Sequence, residues 1–401
     1  MDFKINKISF QDTAVAFSNK SDSQLKQSKF LFKIFEKARL VKLLSNITLF
    51  FIKIGFPVDG MIKKTIFKQF CAGETIDESE KVVSKLNELK IGSILDYSVE
   101  GKETIEDFEN TKKEVIKIIQ VAKKNRAIPY TSLKITGIAP FYILERFNST
   151  DPSALSLSDR EEMKMVEERV NSICYTAFMN KVPIYFDAEE SWIQDTIDRL
   201  AENMMRKYNK EKAIVLTTLQ MYRWDRLSYL TELIKSARKE NFFIGIKLVR
   251  GAYLEKENRR AEQNGYKSPI QSSKNNTDID FDKAITMCLE NIDIITLCAG
   301  THNEESTQFL INEMERLNVS ANHPHVYFSQ LYGMSDNISY NLAAAGYNVT
   351  KYLPYGPVKS VIPYLIRRAE ENSSIAGQMG RELRLISDEI NRRKEGQRLL
   401  N

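Results

Sequence analysis

From about residue 90 onward, short apolar, β-branched runs alternate with longer amphipathic segments, and the runs number eight. They are Gly92–Tyr97, Ser132–Thr136, Pro183–Asp187, Ala213–Thr217, Ile244–Val249, Ile292–Leu297, Val326–Ser329 and Tyr347–Tyr352. Helical patterns separate them, for example Arg160–Met179 and Asp282–Glu290. Strands alternating with helices imply a parallel sheet, whose strands are covered on both faces and so read as apolar runs. Eight such units predict a closed (βα)8 TIM-type barrel of the α/β class. We expect a helical N-terminal subdomain over residues 1–88 and the barrel over residues 89–401.

The active site of such a barrel lies at the C-terminal ends of its strands. Read there, the second run offers Lys134 and the third ends in Asp187-Ala188-Glu189-Glu190. The fourth leads to Gln220, and the fifth to Arg250-Gly251-Ala252-Tyr253. After the sixth come Thr301 and His302; the seventh leads to Leu331 and the eighth to Tyr352. One polar group at a strand end can be a helix cap. So many at one rim are poorly explained as core filler.

Other chemistries lack their residues. No Gly-x-Gly-x-x-Gly follows a strand and no Gly-Lys-Ser/Thr loop occurs, so Rossmann and P-loop readings have no phosphate cradle. Cys71, Cys174, Cys288 and Cys298 form no Cys-x-x-Cys pair, and the three histidines complete no zinc set, so no metal is expected. The scattered thiols fit a reducing compartment and core positions. A formal charge of +5 is far from that of a nucleic-acid binder. The N-terminus has an early acid and no apolar core, which argues against a secretory signal.

The charge is uneven. Residues 29–68 hold nine basic and two acidic residues, a net +7, leaving −2 for the remainder. The same segment carries Phe30, Phe32, Phe35, Phe50, Phe51, Phe56 and Phe67. Leu31, Ile34 and Phe35 fall at helical spacing. One reading is a helical subdomain with a solvated basic face. The sharper one is a surface for anionic lipid or a partner.

Near the C-terminus, Tyr364, Arg367, Arg368 and Glu371 fall at i, i+3, i+4 and i+7, so one helix face presents them all. Such a face can be solvated surface, with Arg367 and Glu371 a simple ion pair. Two adjacent guanidinium groups also suit a carboxylate, because each planar fork donates parallel hydrogen bonds. Glu371 would then orient one arginine. In Lys247–Tyr253, Gly251 and Ala252 lack bulk, so a planar cofactor could approach the backbone beside two cations. A phosphate-binding barrel without redox chemistry is the alternative there.

The stretches Ser132–Ile135, Tyr185–Glu189, Lys247–Tyr253, Thr301–Asn303 and Tyr352–Asn372 resemble those of the proline dehydrogenases, flavoenzymes on a (βα)8 barrel. Phe70-Cys71-Ala72-Gly73-Glu74 is similar to the segment preceding that family's barrel, and the likeness runs from roughly residue 70 to 375. The length resembles the monofunctional branch, with no aldehyde dehydrogenase half or DNA-binding arm expected. The resemblance implies FAD as cofactor, L-proline as substrate and a membrane quinone as electron acceptor. It assigns Lys134, Arg367 and Arg368 to the proline carboxylate. Tyr352 and Tyr364 become aromatic walls around the ring, and Leu331 an apolar contact near the flavin. Asp187 matches the active-site aspartate, and Lys247 the cation beside flavin N5, often arginine in bacterial relatives. Ala188, Gln220, Arg250, Gly251, Ala252, Tyr253, Thr301, His302 and Glu371 are assigned to the cofactor.

The same resemblance implies proline oxidation to Δ1-pyrroline-5-carboxylate, with hydride leaving C5, and a partnership with a separate pyrroline-5-carboxylate dehydrogenase. The missing signals place the protein in the cytoplasm, peripheral at the inner membrane, or in the mitochondrion if the source is eukaryotic. Hydroxyproline dehydrogenase is the nearest rival, and bulky Tyr352 argues against it. A non-catalytic membrane-associated barrel and a Schiff-base aldolase built on Lys134 are the others.

Overall fold

The computed structural model describes residues 8–53, 59–99, 103–149, 151–374 and 378–400. Eight parallel strands close a barrel in sequence order among these residues. They are β1 (Ile91–Tyr97), β2 (Tyr130–Leu133), β3 (Ile184–Phe186), β4 (Val215–Gln220), β5 (Ile244–Val249), β6 (Ile295–Gly300), β7 (Val326–Leu331) and β8 (Val349–Tyr355). The (βα)8 expectation therefore holds, strand for strand.

Three edges shift. β2 stops at Leu133, and a 3-10 turn over Ile135–Gly137 takes the rest of its apolar run. β6 begins at Ile295, because Asn291–Ile294 turns the chain out of the helix Lys274–Glu290. β8 continues through Tyr355, so Tyr352 lies inside it and not at its end. That extension has a partner: Ala72 N–H donates to Pro354 O at 2.9 Å, and Gly356 N–H donates to Gly73 O at 3.1 Å. An apolar run cannot tell strand from turn when neighbours supply the hydrogen bonds.

The chain divides into two compact units. The first holds Met1–Ile91, Ser98–Glu100 and Gln330–Asn401. Its core joins Phe32, Phe35, Phe67 and Phe70 to Tyr364, Leu365 and Leu385. Phe32 meets Phe35 and Phe70 edge-on, with ring centres 6.1 and 6.5 Å apart, a favourable aromatic geometry. Leu31 and Phe35 are buried on the helix Asp22–Phe35, as their spacing predicts. That helix starts at a capping box, in which Ser21 and Gln24 each accept the other's backbone N–H.

The second unit holds Gly92–Tyr97 and Gly101–Ser329. Its strands are buried on both faces; Ile246 and Leu248 are fully inaccessible. Neighbouring strands pair in a simple register: Leu133 opposite Phe186, Phe186 opposite Thr217, Thr217 opposite Ile246, and Lys247 opposite Cys298. The four cysteines are buried thiols.

Candidate active site

The register decides which side chains meet. Lys134 and Asp187 each stand one residue beyond the last paired rung of their strands, and Lys247 stands one beyond Ile246. All three therefore share one level. Side chains alternate along a strand, so Ser132, Tyr185 and Gly245 form the level beneath.

On the upper level Asp187 is buried between two ammonium groups. Its Oδ1 pairs with Lys247 Nζ, and its Oδ2 lies 3.7 Å from Lys134 Nζ. Lys134 also reaches down to Asp96, at 3.1 Å. Asp96 is buried and accepts from Ser132 Oγ at 3.3 Å. Lys247 Nζ is 5.1 Å from the centre of the Tyr185 ring, a cation–π contact with the level below. Asp96, Lys134, Asp187 and Lys247 thus alternate in sign and sum to zero. Buried charges are tolerated only when paired in this way.

Asp96 is absent from the site residues expected from sequence. Its signal was present: it is the one acid in the run Gly92–Tyr97, one residue before the strand end, where a barrel can use a charge.

A second cluster surrounds the turns after β3 and β5. Gln220, the last residue of β4, donates from Nε2 to Glu189 O at 2.7 Å and accepts from Ala252 N–H at 3.1 Å. One side chain thereby ties the Asp187–Glu190 turn to the Gly251–Ala252 turn. Gly251 has φ +141°, and a Cβ there would come within 2.6 Å of the Tyr222 ring. The small residue is required by Tyr222 and by the backbone, before any cofactor is considered. Arg250 donates from Nε to Asp278 at 2.7 Å, and from its two terminal nitrogens to Thr301 Oγ1 at 2.7 Å and Ser306 Oγ at 3.0 Å. Phe281 lies beneath it, 4.7 Å from ring centre to guanidinium carbon. The structure thus brings Arg250 and Thr301 together.

Glu189 is almost completely buried. Burial pushes its carboxyl up to about 7, and the neighbouring Glu190 charge adds to the effect. Its acceptance of the Thr136 N–H at 3.1 Å only partly opposes this.

The first unit holds Leu331, Tyr352 and the arginine helix, Val358–Ser374. Leu331 ends β7, and the next residue, Tyr332, donates its N–H to Tyr352 O at 2.9 Å. Tyr364 is buried. The Arg367 and Arg368 guanidinium carbons lie 5.9 and 5.3 Å from its ring centre. Tyr364, Arg367 and Arg368, three of the four residues predicted to share a face, therefore do so. Glu74 accepts the Val358 N–H at 3.2 Å at the start of this helix and also pairs with Lys63. An acid there satisfies an otherwise orphan donor. The Glu371 side chain and Phe56 lie outside the described residues.

The donor set fits a flavin. Its amide, guanidinium, hydroxyl and ammonium groups are those an isoalloxazine edge and a pyrophosphate need. Gln220, Arg250, Thr301 and Lys247 carry that chemistry within the second unit.

The family model described as Proline dehydrogenase matches residues 79–381. That is well over half of the chain. The chain belongs to the proline dehydrogenase family. It is 32% identical to "Proline dehydrogenase 1, mitochondrial" of Dictyostelium discoideum, over 95% of this chain and 74% of that protein. It is also 32% identical to "Carbapenem antibiotics biosynthesis protein CarD" of Pectobacterium carotovorum, over 84% of this chain and 87% of that one. Among solved structures, proline utilization A of Bdellovibrio bacteriovorus superposes with a TM-score of 0.71 at 20% identity. That match covers 92% of this chain but 37% of the other, so this chain spans little more than a third of that protein. At that identity the likeness concerns the fold. As a proline dehydrogenase family member, the chain is an oxidoreductase acting on proline.

Proposed function

We propose that the protein oxidises L-proline to Δ1-pyrroline-5-carboxylate with FAD as the first acceptor and a quinone as the second. The observation that supports this best is the neutral set Asp96, Lys134, Asp187 and Lys247 at the strand ends. It sets each ammonium group beside a carboxylate in a site largely shielded from water. Lys247 can thereby stabilise negative charge arriving beside it, at little reorganisation cost. FAD, when bound, supplies the hydride acceptor. Gln220, Arg250, Gly251, Ala252, Tyr253, Thr301, His302 and Ala188 are the residues proposed to hold it, with Glu371 assigned by resemblance.

Arg367, Arg368 and Lys134 are proposed for the proline carboxylate. Forked donors fix a carboxylate in orientation as well as position, which a point charge alone does not. Tyr352, Tyr364 and Leu331 supply the apolar walls. The proline amine must be neutral to release hydride from C5, so turnover should rise with pH until that amine is deprotonated. Product release would feed a separate pyrroline-5-carboxylate dehydrogenase.

Quinone implies contact with a membrane. Among the described residues no helix is long and apolar enough to cross one. We therefore propose peripheral contact, in the mitochondrion or at the bacterial inner membrane according to source. The exposed Phe30 and Phe50 of the basic N-terminal segment support it.

The test is direct. Purified protein should show flavin absorbance bands and reduce a dye only when proline is added. A colourless protein without proline-dependent dye reduction would overturn the reading. 4-Hydroxyproline should be the weaker substrate, because the buried Tyr352 phenol resists a ring hydroxyl. Tyr352→Ser should narrow that gap by relieving a clash.

A further inference from the structure

We propose that a basic cleft in the first unit is a second ligand site, which takes a small polyanion bearing phosphate groups. The cleft has a volume of about 450 Å3, within the range of small-molecule sites. Its walls come from the helix Asp22–Phe35, the π-helical turn Lys63–Phe67, the helix Ile76–Glu88 and the loop after β7. None of its lining residues belongs to the candidate active site.

Charge is the distinguishing feature. Six lysines line the cleft, against Glu78 and Asp336. Lys20 is neutralised by Asp336 at 2.8 Å, and Lys63 by Glu74, with Glu78 at 3.9 Å. Lys64, Lys68, Lys81 and Lys85 have no carboxylate partner among the described residues. Lys81 and Lys85 are four apart on one helix, where like charges repel and destabilise. Lys64 and Lys68 are also four apart, across the π-helical turn. Such turns are rare and recur at functional sites. A fold that concentrates four uncompensated ammonium groups around one concavity meets a cost that a bound polyanion removes. Lysine suits phosphate as a point-charge donor.

The cleft is also built. Its floor is a chain of part-buried hydrogen bonds: Ser28 Oγ donates to Gln69 Oε1 at 3.0 Å, and Gln69 Nε2 donates to Gly333 O at 2.7 Å. Gly333 has φ +80°, and a Cβ there would lie 1.9 Å from Gln69 O. Glycine is therefore required where the loop presses on this wall. Gln27 Nε2 donates to Lys64 O at 2.8 Å and fixes the turn that carries two of the lysines.

Two titrations separate the sources of phosphate, both with the full chain carrying its flavin at low salt. Calorimetry with pyrophosphate and with ATP tests a soluble ligand. Flotation with vesicles of phosphatidic acid in neutral lipid tests a headgroup. The cleft variant is Lys64→Gln, Lys68→Gln, Lys81→Gln and Lys85→Gln together. The control removes equal charge from Lys113, Lys117, Lys123 and Lys124 on the exposed side of the helix Ile105–Lys124, which lines no part of the cleft. Saturable binding in either arm should weaken about tenfold or more in the cleft variant, as several charge-assisted contacts are lost together, and stay unchanged in the control. Equal weakening in both variants, or no saturable binding in either arm, overturns the proposal. If the fourfold variant fails to fold, Lys68→Gln and Lys81→Gln singly should each weaken binding about two- to threefold, consistent with one lost ionic contact.

Discussion

The Arg368 guanidinium carbon lies 5.3 Å from the centre of the Tyr364 ring, one turn back along the same helix. Arg367 approaches the same ring at 5.9 Å. A ring face attracts cations, so Tyr364 gathers two groups that would otherwise repel. Arg367→Met and Arg368→Met should each raise the Michaelis constant for proline strongly while flavin stays bound. Losing one side of a desolvated charged pair costs ~2–5 kcal/mol, the scale of the expected loss in kcat/KM. Tyr364→Leu should produce a smaller rise, because the arginines remain but lose their support. Unchanged constants in both arginine variants would show that this face does not hold the carboxylate.

Asp187 balances two ammonium groups, so its charge matters more than its shape. Asp187→Asn is nearly isosteric and leaves Lys247 buried with its charge no longer compensated. Breaking a buried pair in this way costs ~3–5 kcal/mol. The unfolding midpoint in denaturant should fall accordingly, and proline-dependent dye reduction should drop by about a hundredfold or more, a factor that corresponds to roughly 2.7 kcal/mol of barrier. Lys247→Met should be better tolerated in stability where Asp187 retains Lys134 at 3.7 Å, yet equally poor in turnover. Wild-type turnover in Asp187→Asn would remove this residue from the mechanism.

Glu189 gives a pH dependence of stability with a definite sign. Burial raises its carboxyl to about 7 in the folded chain. Between its ordinary value and about 7 the folded state keeps a proton that the unfolded state has lost. Stability from this group is full below the ordinary carboxylate range, declines as pH rises, and levels off above about 7. Its size is about 3 kcal/mol at most, from the usual 1.36 kcal/mol per pH unit. Glu189→Gln should flatten that decline in urea melts taken across the range. An identical slope in wild type and variant would assign the pH dependence elsewhere.

The barrel was legible because its eight apolar runs are buried on both faces and leave a continuous apolar signature. The rim was legible because polar residues after such runs have few other uses. Gln220, Arg250 and Thr301 are named from that position, and in the structure Gln220 bonds the Ala252 N–H and Arg250 bonds Thr301. Asp96 was missed because it lies within a strand run, where alternation hides an inward charge until the register is known. The reason for Gly251 was also hidden. Its neighbour across the turn, Tyr222, precedes it by 29 positions, and sequence order does not show that their surfaces meet. Tyr352 was placed at a strand end because the residues that extend β8, Ala72 and Gly73, are distant in sequence.

The basic N-terminal segment divides into two kinds of aromatic. Phe32, Phe35 and Phe67 are core, which accounts for part of the pattern without any lipid. Phe30 and Phe50 are not, being 64% and 59% exposed. On the helix Ala38–Lys53, Leu43, Leu44, Ile47 and Phe50 are all exposed and follow i, i+1, i+4, i+7, one continuous apolar stripe. An amphipathic helix of this kind lies in a membrane interface with its apolar face inserted and its cations at the headgroups. Burying such side chains is worth roughly 1.5–3 kcal/mol each, and each nearby lysine adds ~1 kcal/mol on an anionic surface. Leu43→Gln, Ile47→Gln and Phe50→Gln together should therefore weaken co-sedimentation with anionic vesicles sharply at low salt. Salt should weaken wild-type binding only partly, because screening acts on the charge and not on the apolar face. The triple variant should keep proline-dependent reduction of a soluble dye and lose reduction of a membrane-embedded quinone. Loss of both activities would mean that the stripe supports the fold, and retention of both would mean that quinone reaches the flavin without it.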